Sequence, residues 1–115
     1  MKKFLVLYLM PSAGMEAWMQ LDPAVRQADE DKMKAEWDVW MKEHQNAIKE
    51  TAGAGKTQRL TKDGVETIKN DIMLFSLVEA ESEEAVAEMF KNHPHFQIPD
   101  ASIEIMPANY MAGME

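Results

Sequence analysis

The stretch Ile72-Met73-Leu74-Phe75-Ser76-Leu77-Val78-Glu79-Ala80 decides the fold of this 115-residue chain. Read as a strand, it puts Ile72, Leu74, Ser76 and Val78 on one face and Met73, Phe75 and Leu77 on the other. Both faces are apolar. A second stretch, Phe4-Leu5-Val6-Leu7-Tyr8-Leu9-Met10, shares the property, with Phe4, Val6, Tyr8 and Met10 opposed to Leu5, Leu7 and Leu9. A strand apolar on both faces is covered on both faces. The chain's own helices supply one cover, and a second copy of the chain is the simplest supplier of the other.

Between these strands, Pro11 to Gly14 reads as a loop and Met15 to Leu21 as a short helical turn carrying Trp18. Asp22-Pro23 is an N-cap followed by a first helical position. The helix it opens is predicted to run to about Glu50. Its stripe is Met33, Trp37, Trp40, Met41, His44, Ala47 and Ile48 at i, i+3, i+4 spacing. Val25 and Ala28 fall out of phase with that stripe, which predicts a bend or break near Asp29 to Asp31. Thr51 to Gly55 reads as a flexible turn, Thr57 to Thr61 as a short strand, and Lys62-Asp63-Gly64 as a turn. Past Ala80, Ser82 caps a helix with Glu83 and Glu84 in its first turn and Ala85, Val86, Met89 and Phe90 on its buried face. Lys91 and His93 suit its end and Pro94 stops it. Ser102 to Met106 is a last strand, with Ile103 and Ile105 inward, Glu104 alone on the outward face, and Pro107 as terminator.

The order is strand, long helix, strand, strand, helix, strand. This predicts an α+β, ferredoxin-like βαββαβ domain over residues 1–115, with an antiparallel sheet and two helices on one face. The first strand and the strand at 72–80 should be central. The helix-free face of such a sheet would be a large apolar patch, which a homodimer formed face to face would bury.

With 12 Lys+Arg against 20 Asp+Glu the net charge is −8, which repels phosphate backbones and anionic membrane surfaces. Neither nucleic acid nor membrane is expected as a partner. The chain has no cysteine, which excludes disulfides, thiolate zinc sites and cysteine nucleophiles, and fits a reducing, cytoplasmic setting. Met1-Lys2-Lys3 before a short apolar run has the outline of a signal peptide, but a run of this length bounded by Pro11 reads as a first strand. Eleven methionines supply adaptable packing. The Met-rich tail from Met106 to Glu115 is a further segment that could fold or reach a partner.

Gly53-Ala54-Gly55-Lys56-Thr57 resembles the end of a phosphate-binding loop. It lacks the first glycine, with Glu50 in that place, and the order of flanking elements is reversed, so nucleotide binding is not expected. His44 lies within the apolar helical stripe and is the candidate acid or base. Asp71 and Glu104 are candidate carboxylate partners if either is buried beside it. Tyr8, Trp37 and Trp40, joined by His93 and His95 around Pro94, are the candidate ligand-binding residues, with Trp18 and Phe75 as further aromatics. Two histidines at i, i+2 lack a third ligand, so no metal is expected, and no cofactor either.

Four segments together resemble the YCII-related group: Lys62-Asp63-Gly64-Val65, Asn70 to Ser82, Asn92-His93-Pro94-His95-Phe96, and Ser102-Ile103-Glu104-Ile105-Met106-Pro107. Asp63-Gly64-Val65-Glu66 stands where one branch carries a DGPF signature. The resemblance implies a dimeric α/β-barrel fold and a homodimer. The sequence therefore points to a small-molecule-binding or accessory homodimer with an apolar or aromatic pocket between sheet and first helix. The alternative is a cofactor-independent isomerase, lyase or monooxygenase using His44.

Overall fold

A computed structural model describes residues 1–109 of the chain; the tail past Asn109, including the end of the Met-rich segment, lies outside the described residues. Strand β1 covers Lys2–Leu9, helix α1 Ser12–Met19, helix α2 Pro23–Glu43, and strand β2 Ile48–Gly53. Strands β3 (Thr57–Thr61) and β4 (Gly64–Ile68) follow, then β5 (Ile72–Ala80), helix α3 (Glu83–Phe90), a 3-10 turn at Pro94–Gln97, and β6 (Ser102–Pro107). The main sheet has the order β2-β5-β1-β6, and all its pairings are antiparallel. The two doubly apolar strands are central, as their composition requires. The βαββαβ frame is present, but its second strand is β2 and not the expected Thr57–Thr61, which as β3 pairs with β4 in a separate two-stranded hairpin inserted between β2 and β5.

Three expectations are corrected. Helix α2 stops at Glu43, with His44 as its C-cap, and residues 48–53 form an edge strand instead of a last helical turn and a flexible linker. The spacing of His44, Ala47 and Ile48 mimics a helical stripe. Pairing with β5 overrides it, because Ile48 is buried only when it lies opposite Val78, and the Glu79 amide donates to the Ala47 carbonyl. Second, α2 has no break near Asp29 to Asp31. Val25 and Ala28 are exposed, so their phase needs no accommodation. Third, α1 begins at Ser12, absorbing most of the expected loop.

The caps behave as their chemistry dictates. The Asp22 carboxylate accepts from the Ala24 amide at 2.9 Å, with Pro23 at the first turn. The Ser82 hydroxyl accepts from the Ala85 amide at 3.1 Å. Gly64 takes φ +141°, which a side chain rarely adopts, and so closes the β3–β4 turn.

The core lies between the sheet and the helices. Phe4, Val6 and Tyr8 from β1, Val78 and Ala80 from β5, Trp40 from α2 and Val86 and Phe90 from α3 are all buried there. Burying each large apolar side chain contributes about 1.5–3 kcal/mol. On the opposite sheet face, Leu5, Leu7, Leu9, Phe75, Leu77 and Met106 are only partly buried, and no helix among the described residues covers them. Glu104 stands exposed on that face, opposite Leu7. No helix among the described residues is long and apolar enough to cross a membrane.

Candidate functional site

The polar centre of the sheet is a chain of three hydroxyls. The Tyr8 hydroxyl lies 2.8 Å from Ser76 Oγ, and Ser76 Oγ lies 2.7 Å from Thr51 Oγ1. Tyr8 is fully buried, and burial pushes its phenol up to about 12 against the opposing effect of the Ser76 hydrogen bond. The group therefore stays protonated. Tyr8→Phe leaves Ser76 its Thr51 partner and removes one buried bond, so urea unfolding should show a loss of about 1 kcal/mol with the fold retained.

Around Tyr8 the aromatic rings close tightly. Trp37 lies 5.4 Å away, Phe90 6.0 Å, His93 5.4 Å and His95 5.6 Å, centroid to centroid. Trp37 stands perpendicular to His93 at 4.3 Å, and Trp40 meets His93 at 4.5 Å. His93 caps the 3-10 turn: its Nδ1 accepts from the His95 amide at 3.0 Å, which leaves the proton on Nε2. His95 Nε2–H donates to the carbonyls of Leu9 at 2.9 Å and Ser102 at 3.2 Å, tying the turn to β1 and β6. Among the described residues, His93 Nε2 and His95 Nδ1 are buried without a hydrogen-bond partner. Burial is the main cause holding the His93 imidazole down at about 3, with smaller effects from His95 and His44. It also lowers His95, against the two carbonyl bonds. Both are neutral imidazoles at physiological pH.

The expected pocket between the sheet and the long helix is thus filled by rings. Tyr8, His93 and His95 are brought together with Trp37 and Trp40, but in a packed interior. His44 meets that cluster at its edge, through Trp40. It sits at the end of α2, stacked 4.3 Å over the Trp40 indole, with Nδ1 2.8 Å from the Trp40 carbonyl. Asp71 is at the far end of β5, where its carboxylate meets Ser12 Oγ at 3.5 Å. His44 neighbours the Ala47–Glu79 end of that strand. At about 3.3 Å per residue the two lie roughly 25 Å apart, so Asp71 cannot serve His44. Glu104 lies on the other sheet face. Among the described residues no group of His and carboxylates could hold a metal ion. The Gly53–Thr57 segment joins two strands, so it offers no helix N-terminus to phosphate.

Open space lies elsewhere. A cavity of about 390 Å³ opens between α1, the first half of α2 and the end of the sheet. Met10, Met15, Met33 and Met73 line it with Trp18, Leu21, Ile98 and Pro99, and Asp29 and Glu30 stand among the lining residues. Met10 joins the cleft to the ring cluster, since it follows the Leu9 carbonyl that His95 binds. Of the aromatic candidates only Trp18 reaches this cleft. The signal that could have located the rest was the methionine excess, because four of the eleven methionines converge here.

No protein-family model and no curated protein matches the chain. Among solved structures it is similar to 5-chloro-2-hydroxyhydroquinone dehydrochlorinase from Burkholderia phenoliruptrix AC1100 in complex with 2,5-dihydroxybenzoquinone. That likeness has 17% identity over 90% of this chain and 91% of that one, at a TM-score of 0.49. It is also similar to a dimeric ferredoxin-like protein from an uncultured marine organism, with 13% identity over 94% of each chain and a TM-score of 0.41. At these identities the likeness says nothing of activity.

Proposed function

We propose that the protein is a cytoplasmic, YCII-like homodimeric module, one domain over residues 1–115, that holds a small apolar or aromatic molecule. The observation that carries this reading is the 390 Å³ methionine- and tryptophan-lined cleft, a volume in the range of small-molecule sites. Methionine walls adapt to the shape of an apolar guest. Asp29 and Glu30 disfavour a carboxylate or phosphate there, so the ligand is neutral or cationic. Among the described residues His44 bonds and stacks on Trp40 and makes no ion pair with a carboxylate, which favours binding over proton transfer.

A neutral fluorescent aromatic, N-phenyl-1-naphthylamine, tests the site. It should bind saturably and quench Trp18 emission. Ala17→Trp, which fills the cleft from α1, should weaken binding at least tenfold without lowering the melting temperature by more than a few degrees. Equal affinity in the variant would remove the cleft as the binding site.

The homodimer half of the reading rests on the apolar helix-free sheet face. Contiguous patches of that kind mark association surfaces.

A further inference from the structure

The hairpin β3–β4 has little to hold it within its own chain. Its strands pair with each other from Thr57–Ile68 to Thr61–Gly64, and neither joins the main sheet. An isolated two-stranded hairpin is at best marginally stable in water. Leu60 and Val65 are direct cross-strand partners, share one face of the ribbon, and are 76% and 61% exposed. Among the described residues β3 and β4 pack substantially only on each other, and the radius of gyration is 16.2 Å, against about 13 Å for a compact chain of this length, which fits a ribbon that projects as an arm.

Its charge also departs from the body. The chain carries 12 basic against 20 acidic residues. Over residues 56–69 the arm reverses that balance, with Lys56, Arg59, Lys62 and Lys69 against Asp63 and Glu66, and the Arg59–Glu66 ion pair within the ribbon leaves the three lysines in excess over Asp63. A basic arm with an exposed apolar pair complements an acidic body, and the body within reach in a homodimer is the partner's.

We propose that residues 56–69 form a dimerisation arm that lies against the partner subunit and buries Leu60 and Val65 there. This rests on the homodimer proposed above and extends its interface beyond the sheet face. The arm leaves and re-enters the sheet at paired positions, since the Ala54 amide donates to the Met73 carbonyl at 2.8 Å. Joining Gly55 directly to Asn70 therefore leaves β2 and β5 connected by a short turn.

Sedimentation equilibrium on four proteins tests the proposal: the wild type, a variant lacking residues 56–69, the double variant Leu60→Asp/Val65→Asp, and Phe75→Glu. The arm-less and double variants should raise the dimer dissociation constant tenfold or more. The double variant alters only exposed side chains, so it serves if the deletion does not fold. Wild-type dissociation constants in both would overturn the arm. Dissociation by Phe75→Glu with intact dimers in both arm variants removes the arm and leaves the sheet-face dimer. The reverse pattern supports the arm and removes the sheet face. A monomeric wild type overturns both.

Discussion

Lowering the pH from 7.5 to 5 should destabilise the folded protein by about 2 kcal/mol through His93 alone. Burial holds this imidazole at about 3, whereas in the unfolded chain it titrates near 6.5. Between those values the unfolded chain takes a proton that the folded chain refuses. Stability is therefore full above about pH 6.5 and falls by about 1.4 kcal/mol per pH unit as the pH drops towards 3. His95, also lowered by burial, adds loss of the same sign. His93→Asn is the control. Its side chain still accepts from the His95 amide but cannot be protonated. The variant should begin about 2–3 kcal/mol less stable from lost ring packing, and its loss on acidification should shrink by about 2 kcal/mol. Urea midpoints at the two pH values measure both. An unchanged acid loss in the variant would show that His93 is solvated and protonated in the folded state.

Phe75→Glu is the second large expected effect, because it acts on association more than on folding. Phe75 lies on the helix-free face, opposite Leu7, with Leu5, Leu9 and Leu77 around it. In a two-fold, face-to-face dimer one substitution places two carboxylates in the apolar interface. Removing a charge from water into such a surface is costly, and the chain already carries net charge −8. The dimer dissociation constant should rise at least about 100-fold, equivalent to about 2.7 kcal/mol. Retention of a wild-type dimer in sedimentation would place the interface on another surface. Circular dichroism should remain that of the folded chain, since the Phe75 side chain points away from the core.

The central strands were legible because alternation is a local pattern: Phe4 to Met10 and Ile72 to Ala80 display it in single segments. The caps at Asp22 and Ser82 were legible for the same reason. Strand β2 was not. Its residues Ile48 to Gly53 carry helical spacing upstream and a glycine at the end, and only the ladder to β5 makes them a strand. The site divides in the same way. Tyr8, Trp37, Trp40, His93 and His95 do meet, but their combined ring volume fills the space that a pocket would need. The cleft draws Met10, Met33, Met73 and Ile98 from four distant segments, a convergence no window of sequence contains.

The hydroxyl chain across β1, β5 and β2 has a consequence for how the sheet assembles. Ser76 is the one polar side chain on the inner face of β5, and it is satisfied only when Tyr8 and Thr51 arrive from opposite sides. Both faces of β5 are apolar, so a one-residue slip would exchange one oily face for another at little hydrophobic cost. The slip would, however, strand the Ser76 hydroxyl without acceptors and point it away from both partners. The three oxygens thus act as an alignment key, selecting one strand alignment from several that the greasy residues alone would tolerate.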